Sequence, residues 1–236
     1  MEKIVILTGA GISAESGLGT FRDAGGLWAE HRVEDVATPE GFARDPDRVH
    51  RFYNARRDQA AQARPNPAHA ALARLEAGWP GEVVIVTQNV DALHEAAGCT
   101  SVIHMHGELA RALCAACDHR WDAPEAMRRE DACPRCGAQA CRPDVVWFGE
   151  IPYRMEEVMD HLAEAAIFAA IGTSGQVWPA AGFAQEAASA GAHCVEINLE
   201  PSMVAGDFHE TRQGRASEIV PGWVDALLAE TRDQSS

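Results

Sequence analysis

Six apolar runs, dense in Val and Ile and too continuous to alternate, constrain this chain more than any other feature: KIVILT (3–8), EVVIVTQ (82–88), SVIHMHG (101–107), DVVWFG (144–149), AAIFAAIGTS (165–174) and HCVEINLE (193–200). A strand apolar on both faces has to be covered on both faces, which is the situation of a parallel sheet between two helical layers. Helical patterns lie where such a sheet needs its crossovers: NVDALHEAAG after the second run, residues 154–164 before the fifth, and PAAGFAQEAASAG after it. In the last of these, Pro179 suits a first helical turn and Gly191 a C-terminal stop. The alternation predicts an α/β fold with a doubly wound parallel sheet. With 47% hydrophobic residues over 236, the chain can bury one substantial core and carry a small satellite.

Two stretches break the alternation. Residues 27–78 hold helical patterns without a convincing strand, and residues 111–142 hold four paired cysteines. Both read as insertions into a large part made of 1–26, 79–110 and 143–236, and together they form a smaller part. Lys plus Arg number 20 against 35 Asp plus Glu; a net charge of -15 repels a phosphate backbone, so no nucleic acid is expected as a partner. No run of eighteen apolar residues occurs, so no membrane partner is expected either, and MEKIVILTG enters the first strand without signal-peptide architecture. The expected compartment is the cytoplasm. Seven cysteines, an odd number in reducing surroundings, fit metal binding better than a disulfide framework.

Cys114, Cys117, Cys133 and Cys136 form C-x2-C-x15-C-x2-C, the spacing of two knuckles that close a tetrahedral zinc site. Four thiolates leave no open coordination position, which makes the metal structural. Cys99 and Cys194 read as buried strand-side residues, and Cys141 stands close enough in sequence to compete for the metal. At the end of the first run, TGAGISAESG places Gly9, Gly11 and Ala14 in G-x-G-x-x-A at a strand-to-helix turn, where absent side chains let the backbone approach a pyrophosphate. The acidic ribose partner expected some twenty residues later closes no second strand. Glu200, ending the last run, is either that partner or an exposed strand-end charge.

TQNVD gathers Gln88, Asn89 and Asp91 at the carboxyl end of the second run, where Asp91 also suits the N-cap of a following helix. Gly172, Thr173 and Ser174 end the fifth run in the same way. In the third, His104 and His106 project from one strand face and Met105 from the other. His106, directly before Gly107, sits at the ligand edge and reads as a general base; His104 reads as a hydrogen-bonded core residue. Polar clusters at the carboxyl ends of so many strands point to one cleft. Apart from these, FYNARR (52–57) sets Tyr53 and Arg56 one helical turn apart, so a phenol and a guanidinium either converge on one small target or form a half-buried Tyr beside a solvated Arg.

Taken in order, GAGISAESGLGTFR, TQNVD, HMHGEL, the four cysteines, VVWFGE, GTSGQVWPAAGFA and INLEPS resemble the sirtuin family of NAD-dependent protein deacylases over residues 4 to 224, and FYNARR resembles its class III, bacterial-type branch. Gly19, where a bulkier or basic residue is expected, and Trp178, where the branch has Tyr, depart from the pattern. The resemblance implies a Rossmann-type domain, a small domain of a helical module (27–78) and a zinc module (111–142), and a cleft between them where NAD meets acyl-lysine. It implies that Gly9, Ala10, Gly11, Ile12, Ala14, Thr20, Phe21, Arg22 and Trp28 form the NAD loop, that Gln88, Asn89 and Asp91 face the nicotinamide ribose, and that Gly172, Thr173, Ser174, Asn198, Leu199, Glu200 and Ala216 take the phosphates, adenosine ribose and adenine. His106 and Asn89 are the implied catalytic pair. Val146, Trp147 and Phe148 would lend a backbone edge to an acylated-lysine protein, with Tyr53 and Arg56 gripping a succinyl or malonyl carboxylate. The implied products are nicotinamide, free lysine and O-acyl-ADP-ribose, and the expected assembly is a monomer. A sirtuin-like ADP-ribosyltransferase and a non-catalytic zinc-ribbon nucleotide sensor are the alternatives.

Overall fold

The computed structural model describes residues 2–19 and 31–233. In chain order the strands are β1 Lys3–Thr8, β2 Val83–Thr87, β3 Val102–His104, β4 Gly107–Cys114, β5 Arg120–Asp122, β6 Cys141–Val145, β7 Ala165–Ile171, β8 His193–Asn198 and β9 Glu210–Gln213. The helices are α1 Ala10–Ala14, α2 Val33–Val36, α3 Pro39–Arg44, α4 Pro46–Gln62, α5 Pro67–Gly78, α6 Leu93–Ala96, α7 Met155–Glu164, α8 Phe183–Ser189 and α9 Ala216–Asp233.

Six strands form one parallel sheet in the order β3-β2-β1-β7-β8-β9. Successive side chains of β1 face opposite sides, and both sides are dry. Ile4 and Ile6 pack with Leu72 and Leu75 of α5 and Trp223 of α9, whereas Val5 and Leu7 pack with Leu162 of α7 and Phe183 of α8. That is the physical reason for the unbroken apolar runs. Strand order reverses at β1, which has β2 on one flank and β7 on the other, so the connections diverge there and leave a crevice beyond the carboxyl ends.

Three expectations change. The fourth run is not a parallel strand: its ordered part is β6, antiparallel to β4 in a separate sheet of order β5-β4-β6. Its apolar character serves another core, where Val145 and Trp147 meet Val49, Phe52 and Tyr53 of α4. The sixth parallel strand is instead β9, sequence ETRQ, which pairs with β8 at the sheet edge and alternates half-buried with exposed residues. An edge strand needs no apolar run, so it left no such signal. Third, His104 and His106 do not share a strand face. Strand β3 ends at His104, and Met105 and His106 form a turn into β4. Gly107 makes the turn with φ +79, and a Cβ there would sit 2.1 Å from the Asp144 carbonyl oxygen.

Helix α4, which carries the FYNARR segment, starts where its capping chemistry dictates: Pro46 takes the first turn and the Asp45 carboxylate accepts from Arg48 N at 3.0 Å. The cysteine module has a small core of Ala112, Cys114, Met127, Cys133 and Cys141, with Cys117, Trp121, Ala123 and Ala140 packed against it. It is tied to α4 by Asn54, which donates to the Met127 carbonyl at 2.9 Å and accepts from Met127 N at 3.0 Å. No helix among the described residues is long and apolar enough to cross a membrane.

Candidate active site and zinc centre

At the switch point, the turn after β1 and the turn after β7 interlock backbone to backbone. Gly9 N donates to the Ile171 carbonyl at 3.0 Å and Gly11 N to the Gly172 carbonyl at 2.9 Å. A Cβ on Gly11 would come within 2.7 Å of Gly172 Cα, and one on Gly172, at φ +64, within 2.4 Å of Ile12 N. The glycine pattern thus has a structural reason beside the close approach to a dinucleotide that it also permits. Ile12 is fully buried in the core beside Leu72, so it can offer the cleft only its backbone, while Ala14 is exposed.

Residues 88–91, following β2, form the hub. Asn89 Nδ2 donates to the Gly9 carbonyl at 3.0 Å and to Ser13 Oγ at 3.1 Å; Ser13 Oγ in turn donates to Asp91 Oδ2 at 3.1 Å. Asp91 Oδ1 accepts from the N–H of Leu93, the first residue of α6, but the N-cap position itself is Ala92, so Asp91 stands one residue before the cap. Burial pushes the Asp91 pKa up, against hydrogen bonds from Leu93 and Ser13 and the charges of His104 and Arg56. Ser13, 2% exposed, belongs to this network and was not singled out from the sequence. Its only signal was a small hydroxyl inside the glycine motif.

His106 Nδ1 lies 3.1 Å from the Gln88 carbonyl. A carbonyl can only accept, so Nδ1 carries the proton and Nε2 keeps its lone pair. Burial holds the His106 pKa below the ordinary histidine value, with the Gln88 contact working the other way. The ring is therefore neutral near pH 7 and equipped as a base. His104 is satisfied as expected, with Nε2 2.6 Å from Glu95 Oε1. Burial disfavours its charged form, yet Glu95 lifts its pKa above the ordinary value.

Across the hub lies α4. Tyr53 is 1% exposed and accepts a hydrogen bond from Trp147 Nε1 at 2.9 Å. The Arg56 guanidinium carbon lies 5.8 Å from the Tyr53 ring centre; burial lowers its pKa, against the influence of Tyr53 and Asp91. Arg56 therefore shares an electrostatic environment with the hub. Residues 146–148 depart from a free edge: Val146 N donates to the His106 carbonyl at 2.9 Å, Trp147 N to Glu150 Oε2 at 2.8 Å and Phe148 N to the Ala37 carbonyl at 3.0 Å. Phe148 is 47% exposed, Trp147 buried.

On the far side of the crevice, Asn198 Nδ2 donates to the Thr173 carbonyl at 2.6 Å and Leu199 N to Asn198 Oδ1 at 3.1 Å. Leu199 and Glu200 are exposed; Ser174 and Ala216, at the start of α9, are at least partly buried. The structure thus groups the hub, His106, Gly172 and Thr173 around the switch point. Thr20, Phe21, Arg22 and Trp28 lie outside the described residues.

The cysteine sulfurs of 114, 117, 133 and 136 lie within 4.8 Å of one another, with Cys114 to Cys136 at 3.7 Å and Cys117 to Cys133 at 3.8 Å. A tetrahedron with Zn–S bonds of about 2.3 Å has S···S edges of about 3.8 Å, so the four sulfurs fit one zinc ion. Cys141 does not compete. It is buried in β6 opposite Cys114, and burial foremost pushes its pKa up to about 11. Cys99, in the connection before β3, and Cys194, in β8, are both buried as expected.

Residues 9–179 match the family model described as the Sir2 family. The chain is 54% identical over 231 residues to an NAD-dependent protein deacylase of Caulobacter vibrioides, covering 96% of this chain and 97% of that protein. It is 56% identical over 233 residues to an NAD-dependent protein deacylase of Escherichia coli K12, covering 97% and 84% respectively. Among solved structures, a Sir2 homolog–NAD complex superposes with a TM-score of 0.87 at 36% identity over 99% of this chain and 91% of that one. A structure of Sir2Af2 bound to a myristoylated histone peptide gives 0.75 at 30% identity, covering 98% and 93%. The chain belongs to the Sir2 family.

Proposed function

We propose that this chain, an NAD-dependent protein deacylase, removes acyl groups that end in a carboxylate, succinyl and malonyl, from protein lysines, and acetyl more weakly. Bound NAD supplies the electrophile, a ribose carbon that loses nicotinamide as the acyl oxygen adds to it. The residues of the chain do the rest. Asn89 and Asp91, fixed to each other through Ser13, orient the nicotinamide ribose. His106 Nε2 takes a proton from a ribose hydroxyl, which then attacks the acyl carbon; the carbon–nitrogen bond to lysine breaks, the amine leaves with a proton, and one water adds to the acyl carbon, so that the products are nicotinamide, free lysine and O-acyl-ADP-ribose. Gly172, Thr173, Ser174, Asn198, Leu199, Glu200 and Ala216 serve the phosphates and adenosine, together with the loop from Gly9 onward. With the N–H groups of 146–148 already paired, a substrate peptide along this segment pairs through carbonyl oxygens or displaces one of those bonds. The two-part division at 27–78 and 111–142 belongs to the same reading, with β4 and β6 as the strands that cross between parts. So do a monomer and a cytoplasmic setting that keeps four thiolates reduced.

The observation that carries the acyl preference is Arg56, beside the Tyr53 phenol and within electrostatic reach of Asp91. A methyl end gives a half-buried guanidinium nothing, whereas a carboxylate forms charge-assisted hydrogen bonds with it. Such bonds contribute on the order of 1.5–3 kcal/mol each. Arg56→Met should therefore lower kcat/KM for a succinylated peptide by about tenfold to a hundredfold more than for the acetylated one. Equal loss on both peptides would show that Arg56 serves folding alone.

A further inference from the structure

Which way the Tyr53 hydroxyl hydrogen points follows from its neighbours. An indole N–H can only donate, so in the 2.9 Å contact with Trp147 the phenol oxygen is the acceptor. The Arg56 guanidinium, its carbon 5.8 Å from the Tyr53 ring centre, adds a positive charge to the phenol's surroundings but accepts nothing. One donor thus holds the oxygen, and the phenol's own hydrogen is turned away from the indole. The nearby carboxylates are committed elsewhere: Glu150 to Arg142 and Trp147 N, Asp91 to Ser13 and Leu93. Among the described residues Trp147 is the hydrogen-bond partner of the Tyr53 oxygen.

Trp147 is held firmly enough to impose this. Its backbone N–H donates to Glu150 Oε2 at 2.8 Å. The Arg142 guanidinium lies 3.5 Å from the centre of its ring and is itself fixed by Glu150 and by the Val145 carbonyl. We propose that Trp147 is a specificity-setting residue whose indole N–H occupies the Tyr53 oxygen and so turns the phenol into a donor aimed at the acyl terminus. The inference rests on the acidic-acyl reading and deepens it: Arg56 supplies charge, and Trp147 decides that Tyr53 supplies a hydrogen rather than a lone pair. A carboxylate is favoured by both and a neutral methyl end by neither.

The test is the ratio of kcat/KM for succinylated against acetylated peptide, because packing loss acts on both peptides and cancels. Trp147→Phe should lower the ratio about tenfold. Site-specific replacement of Trp147 by benzothienylalanine, which keeps the bicyclic shape without the N–H, should do the same and covers the case of a poorly folded Phe variant. In a Tyr53→Phe background, neither replacement should lower the ratio further. A ratio within twofold of the parent in the Trp147 variants overturns the proposal while leaving the Arg56 reading intact. An equal drop in the Tyr53→Phe background overturns it too, since the effect would not pass through the hydroxyl. A parent enzyme with no preference for the succinylated peptide removes the underlying reading instead.

Discussion

The parallel sheet and the cysteine module are built on opposite principles, although each ends beside the cleft. The sheet has a dry core on either face, from Ile4, Ile6 and Trp223 on one side to Leu7, Phe168 and Phe183 on the other. The module has Ala112, Met127 and three cysteines, far too little apolar surface to offset the ordering of some thirty residues. Four sulfurs at tetrahedral spacing replace the missing core. A region with a core tolerates single changes, whereas one closed by a metal depends on each ligand.

The contrast is most easily broken at Cys114. Structural zinc in small modules is worth about 10–16 kcal/mol of folding free energy, so Cys114→Ser should reduce bound zinc from one per chain to none and unfold β4–β6 locally. Hydrogen exchange should show protection lost at 107–145 and kept in β1, β2 and β7. Retained stoichiometric zinc would refute the four-thiolate site, and loss of protection throughout would refute the independence of the two regions.

A smaller effect is expected at the junction, where His106 takes its tautomer from Gln88 on the sheet side and gives its carbonyl to Val146 on the module side. Removing a general base costs on the order of 10²–10⁴ in rate. His106→Tyr should lose turnover by that order yet remain folded and zinc-loaded. In the parent, kcat/KM should hold as pH drops through 6.5 and fall only at lower pH, because the His106 pKa is depressed and the base form persists until its ring protonates. Normal turnover in the variant would take His106 out of the mechanism.

The same contrast explains what the sequence disclosed. Two-sided burial writes itself as continuous apolar runs, so five of the six parallel strands were legible, and metal spacing writes itself as C-x2-C pairs. Strand β9 was hidden because an edge strand carries neither signature. The fourth run misled because Val145 and Trp147 are buried against α4 rather than in the sheet. Among the candidate site residues, Asn89, Asp91 and His106 stand at marked positions, the carboxyl ends of strands, and could be singled out for that reason. Ser13 and the bond from Trp147 to Tyr53 could not, because a hydroxyl in a helix and an indole in an apolar run look like packing until their partners are known.

The smallest effect sharpens the comparison from the sheet's side. Beneath the end of β1, where His94 Nε2 lies 3.0 Å from Thr8 Oγ1, His69 and His94 have ring centres 5.0 Å apart, and neither His69 Nε2 nor His94 Nδ1 has a hydrogen-bond partner among the described residues. Burial lowers their pKa values to about 4 and about 3. Unfolded, each would titrate near 6.5, so below that pH the unfolded chain binds protons that the folded one refuses, and stability falls until the folded pKa is reached. The slope is roughly 1 kcal/mol per pH unit for each histidine. His69 Nδ1 accepts from Asn66 N in the capping box of α5, a role that glutamine at the same position can fill. His69→Gln should therefore keep α5 capped while removing the share of the acid slope that His69 contributes beside His94, His50 and His106, read by urea unfolding between pH 7.5 and 5.5. An unchanged slope would show that His69 does not contribute to the acid sensitivity.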